Sequence, residues 1–402
     1  MPSRVRAVLG SWSYALPVLA VIVFAATWGS KISGLVVVIA SVLLAGAVLA
    51  AVGHAEVVAH RVGQPLGALV LAVSVTVIEV ALIVTLMLSS GPDKSALARD
   101  TVFAALMITC NGIVGISILM ATLRRRVTVF NPEGTGAALA TITALATLSL
   151  VLPTFTTTTP GPTFSSGQLT FAALASLAVY ALYIFVQTVR HKEDFLPAEV
   201  TAPSAALTVR KASGTDELSV WVADAGGVAA GNSSPGSLDT AVDAESHHEV
   251  TDRAAWLSVT FLMIALVGVV GLAKAVSPSI EGLVRDAGLP LSFVGVVIAF
   301  LVLLPEGIAA ARAARGGHMQ TSFNLAYGSA VASIGLTIPA IAVASIWMTQ
   351  PLELGLSAVE MVLLGLTVVI GVLTVTPGRA TLLQGGVHLA VFAGFLVLAM
   401  SP

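Results

Sequence analysis

The chain has 402 residues, 56% of them hydrophobic and 10% charged, with a formal net charge of −2 and a mean hydropathy of +0.97. A soluble domain carries about 25% charged residues, so this composition excludes a soluble globular protein and reads as an integral membrane protein. A single cysteine, Cys110, excludes an intrachain disulfide and a cysteine-rich metal site.

About 20 consecutive apolar residues span a bilayer. In chain order, eleven runs meet that rule: 13–29, 33–53, 66–88, 101–123, 135–152, 168–189, 254–276, 291–311, 324–348, 355–375 and 381–400. The first lacks a small-residue cleavage site and reads as a retained signal-anchor. Pro65, Pro92, Pro153, Pro290 and Pro377 punctuate several ends. The expected fold class is therefore an all-α integral membrane protein of about eleven transmembrane helices.

Residues 192–252, between the sixth and seventh runs, are rich in Gly, Ser, Ala, Asp and Glu. They hold too few apolar residues to bury a core and read as an acidic, disordered cytosolic linker. His247-His248-Glu249 within it could meet a divalent ion, although a solvated linker is the simpler reading. The implied organisation is 1–32 as N-terminal segment and leading helix, 33–191 as a first five-helix repeat, 192–252 as linker and 253–402 as a second repeat. Five is odd, so the second set must cross the membrane in the opposite sense to the first, the signature of an inverted-topology repeat. With the N-terminus in the cytosol and the C-terminus outside, most of the 19 basic residues fall on cytosolic segments, Arg124-Arg125-Arg126 among them. Lys31, Lys94, Arg99, Lys274 and Arg285 are left on the other side.

Two glutamates, Glu79 in the third run and Glu306 in the eighth, interrupt otherwise apolar segments. A carboxylate at the centre of a transmembrane helix costs roughly 2.5–3.5 kcal/mol on insertion scales and usually marks an ion or proton pathway. Glu79 lies about 21 Å along a helix from Pro65, and Glu306 about 24 Å from Pro290. If the two helices enter from opposite faces, both acids land near the middle of a ~30 Å core. Two carboxylates can supply up to four of the about 6–8 oxygens that Ca²⁺ wants. Thr76, one turn before Glu79, is placed to assist, and Pro305-Glu306-Gly307 is expected to disturb its helix and free carbonyls. Cys110-Asn111-Gly112, Ser329 and Ser333 are small or polar residues at membrane depth in the helices that follow. Loaded with Ca²⁺ or with two protons the pair is near neutral, whereas empty it carries −2, and that charge is costly to move through hydrocarbon. Such a site exchanges rather than leaks. Glu360 reads either as an interfacial or gating residue or as a surface charge, and His388 as a packing or hydrogen-bonding residue rather than a ligand.

The stretches LAVSVTVIEVALIVTLM (71–87), LVLLPEGIAAARAA (301–314) and FNLAYGSAVASIGLTIPAI (323–341) resemble the bacterial calcium/proton, or sodium(potassium)/proton, antiporters of the cation/calcium exchanger superfamily. The resemblance covers about 14–190 and 254–400. It implies that Glu79 and Glu306 bind the cation and the proton, with Asn111, Ser329 and Ser333 in the partner helices, and that transport proceeds by alternating access. The sequence departs from the commoner motif. Thr76 and Leu303 stand where an Asn precedes each acid, and Gly307 stands where a His follows the second.

The expectation is a secondary transporter, not an enzyme, that exchanges Ca²⁺, Na⁺ or K⁺ for H⁺ in a bacterial inner membrane. Its partners are the transported ions and the lipid bilayer, with no cofactor and no nucleic acid. The alternatives are a monovalent Na⁺(K⁺)/H⁺ antiporter without Ca²⁺ transport and, from another class, a cation channel.

Overall fold

The structure, a computed structural model, describes residues 10–30, 32, 34–62, 66–88, 95–197, 252–347 and 351–401. The chain divides into two compact units, Met1–Pro197 with Val250–Pro402 and Ala198–Glu249. The second unit lies outside the described residues, as do the His247-His248-Glu249 cluster, Pro65, Pro92, Lys31 and Lys94.

Helices dominate the first unit. They are α1 (Ser11–Thr27), α2 (Leu35–Val62), α3 (Leu66–Leu88), α4 (Leu97–Thr122), α5 (Pro132–Phe155), α6 (Ser166–Arg190), α7 (Asp252–Asp286), α8 (Phe293–Arg315), α9 (Met319–Ala344), α10 (Ala358–Val375) and α11 (Leu382–Met400). Among the described residues nine helices are long and apolar enough to cross a membrane, and Ser11–Thr27 and Val73–Thr85 are shorter apolar helices. Each helix overlaps one of the apolar runs. Their starts are chemically marked. Ser165 with Gln168, Ser357 with Glu360 and Thr381 with Gln384 form capping boxes, and Asn131 caps α5 ahead of Pro132. Three helices contain wider π-helical turns, at Ile108–Ile113 in α4, Thr147–Val151 in α5 and Val186–Arg190 in α6. The turn in α5 has a local cause. Pro153 lacks an N–H and its ring would clash with the carbonyl of Ser149 in a regular helix.

Side-chain contacts fix the relative directions of several helices. At one end of α2, Val57 packs with Ala254 of α7; near the other, Ser279 of α7 donates to the carbonyl of Ile32 at 3.3 Å. These two helices are therefore antiparallel, and α1 joins them through Tyr14, whose ring lies 5.2 Å from that of His54 and 5.0 Å from that of Phe261. In contrast, α8 runs parallel to α4. A Cβ on Gly295 would lie 2.9 Å from the backbone nitrogen of Thr101, and one on Gly307 would lie 3.6 Å from Ile113 Cδ1.

Two short pairings tie α5 to α10. The strands β1 (Val127–Val129), just before α5, and β2 (Arg379–Thr381), just after α10, pair antiparallel. Beyond the other end of α5, Thr163 bridges to Glu353, which precedes α10. Linked at both ends in this way, α5 and α10 are antiparallel. At the centre lies α4, whose most apolar window is 89% buried.

Two expectations are corrected. The linker does not begin at residue 192. Lys192–Phe195 form a 3₁₀ turn with Phe195 buried, its carbonyl accepting from Asn324 Nδ2 at 2.7 Å and its ring 5.9 Å from that of Tyr183. One apolar side chain with a pocket to fill outweighs the polar composition around it. At the other end Asp252 already belongs to α7. Pro305, for its part, does not break α8, which remains α-helical from Phe293 to Arg315. Its effect is confined to the missing N–H, because close packing on α4 holds the helix on both sides of it.

Candidate functional site

Glu79 on α3 and Glu306 on α8 are both buried, at 4% and 9% exposure. Ser333 on α9 donates its hydroxyl to Glu79 Oε1 at 2.6 Å, so α9 meets α3 through a charge-assisted hydrogen bond. Glu306 lies within electrostatic range of Glu79, and its Oε2 is buried with no hydrogen-bond partner among the described residues. A buried carboxylate oxygen left without a donor is costly unless a cation or proton completes it. The two expected acids are thus buried on neighbouring elements within electrostatic range of each other, each contributed by a different half of the chain.

The expected supporting residues separate into two groups. Thr76 is buried on α3 one turn before Glu79, and Ser333 touches the carboxylate itself. Ser329 is half-buried one turn before Ser333. Asn111 points elsewhere. Its Nδ2 donates to Thr367 Oγ1 at 2.8 Å, and its Oδ1 pairs with His388 Nδ1 at 3.2 Å. His388 is fully buried, and its Nε2 in turn pairs with Thr374 Oγ1 at 3.1 Å. With the proton of His388 on Nδ1, Asn111 Oδ1 accepts, Thr374 donates to Nε2 and Thr367 passes its own proton to the carbonyl of Leu363 at 2.8 Å. This network joins α4 to α10 and α11. His388 is thus a hydrogen-bonding residue, and the amide of Asn111 is spent on the network.

A second polar cluster gathers at the start of α4. Arg99 pairs with Asp100 at 2.7 Å and donates to the carbonyl of Gly355 at 3.2 Å, with Glu353 and Glu360 in its electrostatic range. Glu360 also accepts from the backbone N–H of Ser357 in the capping box that starts α10. Both roles tie the connection ahead of α10 to α4.

One acidic neighbour was not singled out from the sequence. Glu56 on α2 lies within electrostatic range of Glu306. No group of three or more His, Cys, Asp or Glu able to hold a metal ion occurs among the described residues. A cation between Glu79 and Glu306 would therefore draw its remaining oxygens from hydroxyls, carbonyls or water.

Comparison with known proteins places this geometry in a family. The y4hA protein of Sinorhizobium fredii, whose name classes it with ionic transporters, is 39% identical over 394 residues, 97% of this chain and 96% of that protein. The sodium-potassium/proton antiporter ChaA of Escherichia coli is 31% identical over 392 residues, 96% of this chain and 95% of that protein. Among solved structures, the H⁺/Ca²⁺ exchanger CAX shares the fold with a TM-score of 0.64 at 15% identity, over 98% of this chain and 87% of that one. The sequence profile of the sodium/calcium exchanger protein family matches residues 32–189 and 257–401. On that match and on those relatives, this multi-pass membrane protein belongs to the sodium/calcium exchanger family of cation transporters.

Proposed function

We propose that the protein is a secondary antiporter that exchanges a metal cation for protons by alternating access, with Glu79 and Glu306 as the shared cation and proton site. The observation that carries this reading is the buried pair itself: Glu306 with an unpartnered oxygen, in electrostatic range of a Glu79 held by Ser333. Two buried negative charges favour any state in which a cation or protons neutralise them, and disfavour transit of the empty site. Binding one species therefore requires releasing the other. The antiparallel α5 and α10, and the parallel α4 and α8, support two five-helix repeats of opposite topology meeting at this pair. The excess of basic residues on one set of connections supports a bacterial inner-membrane location with the N-terminus in the cytosol and the C-terminus outside.

Ca²⁺ suits the pair by charge, since two carboxylates balance it. Na⁺ or K⁺ is the second reading. It is supported by the name of the Escherichia coli relative, a sodium-potassium/proton antiporter. The test is dissipation of an imposed proton gradient in everted vesicles on addition of Ca²⁺, Na⁺ or K⁺, with Glu79→Gln and Glu306→Gln beside the wild type. Loss in both variants is the expected result, and the active ion names the substrate. Undiminished exchange in both would sink the assignment.

A further inference from the structure

Six exposed arginines from three distant stretches of chain gather where α4 and α8 end. Arg124, Arg125 and Arg126 follow α4, Arg312 and Arg315 lie in the last turn of α8, and Arg379 stands in β2. Because α8 runs parallel to α4, with Gly307 beside Ile113, the two helices finish on the same side. The Arg125 guanidinium folds over the turn that closes α8, where a Cβ on Gly317 would lie 2.8 Å from its Nη2. Directly after Arg126 the chain enters β1, whose Val129 stands opposite Arg379 in the antiparallel pairing.

No acid pairs with this charge among the described residues. None of the six arginines makes an ion pair there, and neither does Glu133, the acid nearest in sequence to β1. The carbonyl ends of α4 and α8 favour basic residues and account for part of the cluster. They do not account for Arg379, which precedes the N-terminus of α11, the end at which a cation is disfavoured. Nor do they account for the aliphatic side chains set among the guanidiniums. Opposite residues of a strand pair share a face, so the outward face of the ribbon carries Val129, 50% exposed, beside Arg379. Leu123, 66% exposed, precedes Arg124, and Leu383, 75% exposed, follows β2. Guanidiniums alternating with exposed aliphatic groups at the ends of membrane-spanning helices match the boundary between lipid headgroups and acyl chains. A free phosphate would engage the guanidiniums alone.

We propose that the ends of α4 and α8 and the β1–β2 ribbon form a site for an anionic phospholipid, its phosphate among the arginines and its acyl chains against Leu123, Val129 and Leu383. The orientation proposed above puts the site in the cytosolic leaflet; the antiport chemistry is not required for it. Arginine suits the task because its planar fork takes two phosphate oxygens at once. A lipid held there spans the ends of α4 and α8, fastening the helix that carries Glu306 to the helix at the centre of the bundle.

The experiment titrates dioleoylphosphatidylglycerol into the detergent-solubilised full chain and follows the melting temperature, which a ligand of the folded state raises. Phosphatidylglycerol should raise it; dioleoylphosphatidylcholine and inorganic phosphate at the same concentrations should not. Arg125→Gln and Arg379→Gln should each weaken the apparent affinity for phosphatidylglycerol about fivefold, the effect of one basic residue beside an anionic surface. Arg125→Lys and Arg379→Lys, which keep the charge, should recover most of that loss. Arg253→Gln, at an exposed position near the start of α7 and outside the cluster, should change the affinity less than about twofold. Equal weakening by Arg253→Gln would reveal attraction to charge in general and overturn the proposal. An equal rise with phosphatidylcholine or with inorganic phosphate would overturn it as well. The two tested arginines lie far apart in the chain, so a variant that fails to fold leaves the other decisive. Exchange is not the readout, so failure of the antiporter assignment would leave this result standing.

Discussion

Ser333 reaches across from α9 to donate a 2.6 Å hydrogen bond to Glu79 on α3. A hydroxyl is suited to this position because it can donate to the carboxylate and offer a lone pair to a cation at the same time. Ser333→Ala should therefore raise the apparent KM for the transported cation by about tenfold or more, the size expected for losing a hydrogen bond of about 1.5–3 kcal/mol to a charged group. Ser333→Thr should stay near wild type. Vesicle assays over a range of cation concentration decide it, and an unchanged KM in Ser333→Ala would remove Ser333 from the site.

Asn111 separates structural from ligand roles. Asn111→Ala leaves polar atoms of Thr367 and His388 buried without their partner, which should cost about 1–3 kcal/mol of stability. In detergent this reads as a lower melting temperature. The cation KM of the surviving protein should stay within about twofold of wild type, because the amide faces the network. A large KM shift without loss of stability would instead make Asn111 a ligand.

The helix pair α4–α8 predicts opposite outcomes for two glycines. Gly295→Ala puts a methyl group 2.9 Å from a backbone nitrogen, so the helices must separate, at a cost of about 1–3 kcal/mol. Gly307→Ala meets only Ile113, its Cδ1 and Cγ1 both at 3.6 Å, an ordinary contact, and gains up to about 1 kcal/mol of helix propensity. Melting curves of the two variants should move in opposite directions.

Arg99 holds together an otherwise acidic corner. Arg99→Gln leaves Asp100 buried without its partner and beside Glu353 and Glu360, and should destabilise the protein by about 3–5 kcal/mol. Adding Asp100→Asn should return a large part of that loss, since the uncompensated charge is then gone. A double-mutant cycle on thermal melts measures the coupling, and additive effects would contradict it.

The apolar runs were legible because a bilayer demands about 20 such residues, and each helix lies on one of them. Glu79 and Glu306 were legible because charge in those runs is expensive. Asn111 was not, because helical spacing assigns a residue to a stretch of helix but does not name what stands opposite. Its partners, Thr367 and His388, lie far along the chain. Phe195 was hidden by its polar surroundings, and the β1–β2 pairing by strands of three residues, too short for any alternation to be read.

The burial of α4 has a consequence for how the chain is made. It leaves the ribosome before α8, α9 and α11, the helices that enclose it in the finished protein. Until they arrive, a face shaped for close backbone contact, with Gly115 against Leu389 and Ile118 against Gly385, is exposed to lipid tails, which solvate its apolar side chains but cannot pair with Asn111 or Ser117. The first half is thus inserted as an unfinished surface, and the second half completes it. An arrest of synthesis between the halves would leave a membrane-embedded fragment with Asn111 and Ser117 lacking their partners, a natural target for quality-control proteases.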